Sequence, residues 1–148
     1  MAKYDFFIAG RWRNHPEVKK VLDTVRAYNK TAYCFIENSY EGSKVEFKQD
    51  TSIESIMQKL ESLPKDDDFI MHIFENDMQA QRDSDIFLLV LPAGISGHVE
   101  AGAAYGMGKP CYAIGVPEKT ETLYTIFDEI FPDIKSLESW LKSSKYVH

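Results

Sequence analysis

The sequence predicts one three-layer α/β domain built around a mainly parallel, roughly five-stranded sheet. Short apolar runs alternate with segments whose apolar residues recur at helical spacing, which favours parallel strands joined by crossover helices. The chain has 148 residues, of which 44% are hydrophobic, so it can bury the core of one domain. The sequence contains no internal repeat and no interdomain linker, and we therefore expect residues 1–148 to form a single domain.

The first part of the chain predicts a strand, a helix and a second strand. Tyr4 to Ala9 is a short apolar run that ends at Gly10, as a strand does before a turn. Pro16 stands near the first position of a helix whose apolar residues continue at helical spacing to about Tyr28. The β-branched and aromatic run from Thr31 to Ile36 predicts the second strand.

The middle of the chain predicts a loop and two helices. Asn38 to Asp50 is polar and predicts a loop over the site, and Ser52 to Pro64 predicts a short amphipathic helix. The next helix, from Phe69 to about Arg82, carries a broad apolar stripe that suits either a core or self-association. We therefore expect a homodimer or a higher homo-oligomer, and light scattering that finds only a 17.0 kDa species would count against it.

The second half of the chain repeats the alternation. Its third strand is an unbroken apolar run, which is typical of a strand covered on both faces. A Gly-Lys-Pro sequence ends the following helix. The aromatic and acidic stretch Thr120 to Phe131 predicts a short helical turn and a last strand near Ile126. The other predicted elements are strands at Ile86–Leu91 and Cys111–Val116 and helices at about Gly97–Met107 and Ser136–Ser143.

Composition excludes several classes of function. The net charge of −6 argues against binding of duplex nucleic acid. Cys34 and Cys111 lie in apolar, strand-like segments, so we expect buried reduced thiols, and no Cys/His spacing indicates a metal site. No stretch has membrane-spanning length and no signal peptide opens the chain, so a cytoplasmic protein is the default expectation.

The most informative stretch for function runs from Ser84 to Gly102. It predicts a buried strand, a glycine turn and the start of a helix, at the carboxyl edge where open α/β sheets bind ligands. Gly94 and Gly97 allow the backbone to turn and to approach a ligand closely. We expect Ser96 to cap the helix, and Glu100 to lie on the first turn, where the helix dipole favours an ionised carboxylate.

Several short motifs along the chain resemble, in their order and spacing, those of a known protein family. In order they are Phe7-Ile8-Ala9-Gly10 with Arg11-Trp12, Asn76-Asp77-Met78, Asp85 opening an apolar strand, Gly94 and Gly97 before Glu100-Ala101-Gly102, Phe127-Asp128, and Ser136-Leu137-Glu138-Ser139-Trp140-Leu141. Together they resemble the nucleoside 2-deoxyribosyltransferase family, including the 2′-deoxynucleoside 5′-phosphate N-hydrolases. The resemblance covers most of the chain apart from Asn38 to Pro64. It implies a flavodoxin-like fold and cleavage of the N-glycosidic bond of a nucleoside or nucleoside 5′-monophosphate.

The resemblance also implies roles for individual residues. Glu100 corresponds to the family's nucleophile, and Asp85 to an aspartate on the base-binding side of the pocket, so we expect both to be catalytic, with Asp85 holding or protonating the base. No cofactor or metal is implied, and the N-hydrolases complete their sites across a dimer interface. In this chain, Ser96 and the backbone at Gly97 could hold a 5′-phosphate, because helix N-termini bind anions. The substrate-binding residues we expect are Gly10, Arg11, Trp12, Arg13, Gly94, Ser96 and Gly97.

Several alternatives remain open from the sequence. The transferases carry an acidic residue six positions before the nucleophile, where this chain has Gly94. That difference disfavours deoxyribosyl transfer and motivates a nucleotide-binding sensor without catalysis. An NAD-type or other nucleotide N-glycoside hydrolase also pairs a glycine loop with a helical glutamate. For single residues the competing interpretation is structural: Glu100 as a helix-dipole partner, and Asp85 as a residue of the strand entrance.

Overall fold

The computed structural model describes residues 3–37 and 61–143 of the chain. Its centre is a five-stranded parallel sheet. Its strands are β1 (Tyr4–Ala9), β2 (Ala32–Cys34), β3 (Ser84–Val90), β4 (Cys111–Ile114) and β5 (Glu129–Phe131). They pair in the order β2-β1-β3-β4-β5, and every pairing is parallel. The predicted α/β class and parallel five-stranded sheet are therefore confirmed.

Helices cover both faces of the sheet. They are α1 (His15–Ala27), α2 (Asp68–Arg82), α3 (Ile95–Gly106) and α4 (Ile134–Lys142) in the described ranges. Side chains of α1 and α4 pack with one set of strand residues, and side chains of α2 and α3 pack with the other. The molecule therefore has the three layers that the sequence predicts.

The central strand β1 shows why both faces need a helix layer. Successive strand residues point to opposite faces. Phe6 and Ile8 belong to the core under α1 and α4, whereas Phe7 and Ala9 belong to the core under α2 and α3. Each of these four side chains is at most 2% exposed. Burial of that kind on both faces is typical of a strand inside a doubly covered sheet.

Several boundaries differ from the prediction for local reasons. The second strand is shorter than expected, because Phe35–Glu37 turns into a 3-10 helix. Ile126 ends the 3-10 turn Thr122–Ile126, and the last strand follows it at β5, where the chain pairs with β4. The last helix begins at Ile134 because the Asp133 carboxylate accepts a hydrogen bond from the backbone N–H of Ser136. The predicted loop Asn38–Asp50 and the predicted helix from Ser52 lie outside the described residues, apart from the last residues of that helix.

The apolar stripe of α2 is only partly covered. Phe69, Ile70, Ile73 and Met78 are half-buried there, and Phe74 is 56% exposed. The homodimer that this stripe motivates stays a prediction. None of the helices described in residues 3–37 and 61–143 is long and apolar enough to cross a membrane.

Candidate active site

The turns that follow β1 and β3 meet at the carboxyl edge of the sheet. Because these strands are parallel neighbours, their carboxyl ends lie side by side. A Cβ atom added to Gly97 would lie 3.7 Å from the carbonyl oxygen of Gly10, and one added to Gly10 would lie 2.8 Å from Cγ2 of Val18. The Asn14 side-chain amide also donates to the carbonyl of Leu91 at 3.4 Å. The two glycine turns singled out in the sequence are therefore brought together.

Helix α3 begins at Ile95, two residues earlier than it would if Ser96 were its N-cap. Gly94, in an extended conformation, is its N-cap, and its carbonyl accepts the first helical hydrogen bond from the backbone of His98 at 3.3 Å. Ser96 is an exposed residue inside the first turn, so the prediction that Ser96 caps the helix is wrong. Glu100 is the sixth residue of α3 and lies on its second turn, so the prediction that it lies on the first turn is also wrong.

Glu100 carries the strongest perturbation of an acid in the described chain. Its pKa rises to about 8, chiefly because the carboxyl group is buried and also because the negative charge of Asp77 lies nearby. The residue as a whole is half-buried, so it is the carboxyl end that is shielded from water. At pH 7 the group is mostly protonated.

The expectation of an ionised Glu100 is therefore wrong for the free protein. A helix dipole stabilises a nearby carboxylate by only about 0.3–1 kcal/mol and fades beyond the first turn. A tenfold change in the dissociation constant of an acid corresponds to roughly 1.4 kcal/mol. Burial that raises the pKa of Glu100 to about 8 therefore outweighs the dipole.

Asp77 is the second carboxyl of this site, and its motif in the sequence did not indicate a role for it. The hydroxyl of Tyr33 donates to Oδ1 of Asp77 at 2.7 Å. Tyr33 is itself fixed, because its ring stacks on Phe7 with centroids 5.3 Å apart. Strand β2 thus helps to hold an aspartate of α2 near a glutamate of α3. The Asn76-Asp77-Met78 motif is the sequence signal that marks Asp77, but it does not show which carboxyl group Asp77 lies near.

Asp85 lies far from Glu100, at the opposite edge of the sheet from the glycine turns. It is the second residue of β3 and lies at the amino edge of the sheet. The rest of the strand, about 17 Å at 3.3–3.4 Å per residue, separates it from the carboxyl edge. The structure therefore groups Glu100 with Asp77 rather than with Asp85. A catalytic role for Asp85, in which it holds or protonates the base, stays a prediction from the resemblance.

The residues after Gly10 form a short 3-10 turn at the same edge. The Trp12 ring packs edge-on against Phe35, with centroids 5.4 Å apart, so it joins the turns that follow β1 and β2. Arg11 is half-buried and Arg13 is exposed. All three lie near the carboxyl ends of the central strands, and their contact with a substrate stays a prediction.

His98 belongs to the packing of α3. A neutral ring with its proton on Nδ1 donates to the Gly94 carbonyl at 2.8 Å and accepts from the Tyr124 hydroxyl at 2.9 Å. The rings of His98 and Tyr124 also stack at 5.7 Å. Beside them an open cleft of about 510 Å³ is lined by Ala93, Gly94, Ile95, His98 and Val99.

Both cysteines are buried free thiols, as predicted. Burial raises the pKa of each thiol to about 11, which keeps them protonated and unreactive. Among the described residues, no group of three or more His, Cys, Asp or Glu side chains could hold a metal ion.

Comparison with solved structures shows which known proteins share this fold. The structure superposes on the 2-deoxyribosyltransferase of Bacillus psychrosaccharolyticus with a TM-score of 0.64 at 20% identity, covering 90% of this chain and 89% of that one. The chain shares its fold with a 2-deoxyribosyltransferase. A conserved protein from Enterococcus faecalis V583 matches with a TM-score of 0.64 at 15% identity, over 95% of this chain and 98% of the other.

The predicted resemblance and its flavodoxin-like architecture are thereby confirmed at the level of the fold. The sequence itself matches no protein-family model and no curated protein.

The buried carboxyl makes stability depend on pH. The pKa of Glu100 is near 4.5 in the unfolded chain and about 8 in the folded protein. The contribution of this residue to the free energy of unfolding is therefore complete below about pH 4.5 and is lost as the pH rises through about 8. Relative to Glu100→Gln, the parent should lose a few kcal/mol of unfolding free energy between about pH 5 and pH 9, because each tenfold change in the dissociation constant is worth roughly 1.4 kcal/mol. Urea unfolding across that range measures the difference.

The matched control is Glu118→Gln, which alters an exposed glutamate and should keep the parental pH dependence. Parallel curves for the parent and Glu100→Gln would contradict the buried position of Glu100.

Proposed function

We propose that this protein cleaves the N-glycosidic bond of a nucleoside or nucleoside 5′-monophosphate, with Glu100 as the nucleophile. The observation that carries the proposal is the proximity of two carboxyl groups, those of Glu100 and Asp77, to the clustered glycine turns. Glu100 lies one helical turn beyond Gly97. The shared fold with an enzyme named for deoxyribosyl transfer supports it. Cleavage of this bond builds positive charge on the sugar, and a carboxylate beneath the anomeric carbon can stabilise or attack that centre.

The proposed reaction runs through a glycosyl ester. The ionised Glu100 carboxylate bonds to the anomeric carbon, the bond from that carbon to the base nitrogen breaks, and its electron pair leaves with the base, which takes a proton from water. Water then attacks the ester, which releases the sugar and restores Glu100. Transfer to a second base would replace that water. The negative charge of Asp77 favours the positive sugar in the transition state.

The 5′-phosphate is the part of the substrate for which α3 offers a partner. No side chain caps the first turn of this helix, and its backbone N–H groups, with the Ser96 hydroxyl, suit an anion. Arg11 and Arg13 follow Gly10 at the same edge of the sheet and add positive charge in a chain of net charge −6. We therefore propose a nucleoside 5′-monophosphate as the preferred substrate.

A binding protein without catalysis is the second candidate. Gly94, at the position where the transferases carry an acidic residue, serves here as a helix N-cap and brings no carboxylate. Tight nucleotide binding with no base release over long incubation would support this candidate, and measurable release would exclude it.

The first test is base release from a panel of nucleosides, 5′-monophosphates and NAD, followed by chromatography. We expect release from at least one 5′-monophosphate by the parent and by Glu118→Gln, and none by Glu100→Ala. Unchanged turnover in Glu100→Gln would show that the proposed nucleophile is wrong. Release only from NAD would move the assignment to an NAD-type hydrolase.

The second test is the pH dependence of kcat/KM, which reports ionisations of the free enzyme. Since the nucleophile must be ionised and its pKa is about 8, kcat/KM should rise about tenfold for each step of one in pH below that value and level off above it. In Asp77→Asn the rise should move to lower pH, because a negative charge that raises the pKa of Glu100 has been removed. A rate that falls from pH 6 to pH 8 would contradict the mechanism.

A further inference from the structure

Gln81 is a buried polar side chain that the packing of the fold does not explain. It lies on α2 and is only 1% exposed. Its Nε2 donates to the main-chain carbonyl of Glu100 at 2.7 Å. Its Oε1 is buried and has no hydrogen-bond partner in the described part of the chain. A buried polar atom without a partner costs about 1–3 kcal/mol, so an apolar residue of the same length would suit the core better.

The position of Gln81 relates it to the two carboxyls. Asp77 and Gln81 are four residues apart on α2, so their side chains leave the helix on the same side. Both act on Glu100, Asp77 through its charge on the carboxyl group and Gln81 through a hydrogen bond to the main chain. Helix α2 therefore holds the main chain of Glu100 through Gln81 and places the charge of Asp77 near its carboxyl group one helical turn away.

The hydrogen bond of Gln81 constrains the residue that carries the proposed nucleophile. Glu100 is half-buried and its helix α3 has an exposed outer surface, since Val99 is 65% exposed. A small rotation of α3 away from α2 would carry the Glu100 side chain towards water and away from Asp77. A bond from a fully buried side chain to the carbonyl of Glu100 opposes that rotation at the residue itself.

We propose that Gln81 is a positioning residue, which fixes α3 against α2 at Glu100 and so keeps the nucleophile beside Asp77. The effect of Gln81 on catalysis rests on the proposed function. Its effect on the position of the Glu100 carboxyl group is independent of that function. The bond contributes to the reaction through geometry, and a misplacement of about 1 Å can slow a reaction by about 100-fold.

The test uses Gln81→Met, which keeps the length of the side chain and removes the amide. Gln79→Met is the matched control, because Gln79 is an exposed residue of the same helix. The first readout needs no substrate: the pH dependence of the unfolding free energy. In Gln81→Met the loss of stability at rising pH should shrink towards that of Glu100→Gln, because the carboxyl relaxes into water and its pKa falls. Gln79→Met should keep the parental curve.

The second readout is kinetic. We expect kcat of Gln81→Met to fall by about 10- to 100-fold, with KM within about twofold and the rise of kcat/KM displaced to lower pH. A loss of stability that is equal at every pH, with parental pH profiles, would mean a purely structural role and would overturn the proposal.

The two proposals fail in different ways. If the parent releases no base, the proposed function fails, and the unfolding curves still decide whether Gln81 holds Glu100. If Gln81→Met does not fold, Gln81→Leu provides the same measurements. A parental pH dependence in either folded variant would overturn the role of Gln81.

Discussion

The parallel pairing of β1 with β3 is the constraint on which the rest of this structure depends. Their register aligns Phe7 with Phe87 and Ala9 with Leu89, so both strands reach the carboxyl edge together. The turns at Gly10 and Gly94 therefore begin side by side, and Gly97 approaches the Gly10 carbonyl. A one-residue slip would exchange the two faces of β1 and would separate these turns.

The carboxyl pair is an arrangement that folding alone would not favour. Burial and the charge of Asp77 raise the pKa of Glu100 to about 8, which means that ionising it in the folded protein costs free energy. Tyr33 donates to Asp77, and Gln81 donates to the backbone of Glu100, so β2 and α2 hold the pair from two sides. Unfavourable electrostatics of this kind concentrate at functional sites, because a reacting group needs a reactivity that a relaxed surface group lacks.

The core elements could be predicted from the sequence because their signals are local. The apolar run Ile86–Leu91 marks β3, and the helical spacing of Val18, Val21, Leu22 and Val25 marks α1. The position of Glu100 after the glycine turn was also predictable. Its protonation was not, because it depends chiefly on the burial of the carboxyl group in the folded chain and also on Asp77, which a strand separates from Glu100 along the chain.

Other parts of the site depend on tertiary contacts or on backbone detail. The N-cap falls at Gly94 rather than Ser96, since the extended glycine starts the helix by accepting from the backbone of His98. The bonds from Tyr33 to Asp77 and from Gln81 to Glu100 each join residues of different elements, so no sequence spacing reveals them. The motifs of the resemblance include both Asp77 and Asp85, and the packing of α2 on the sheet brings Asp77 rather than Asp85 near Glu100.

Trapping the glycosyl ester would test the role of Glu100 as nucleophile without relying on any variant. The protein would be mixed with a nucleoside 5′-monophosphate that carries fluorine at C2′, which slows the release of the ester, and then quenched, digested and analysed by mass spectrometry. We expect one added sugar phosphate, on the peptide that contains Glu100 and at that residue. Release of one base per protein molecule without added mass, or an adduct at another residue, would contradict this mechanism.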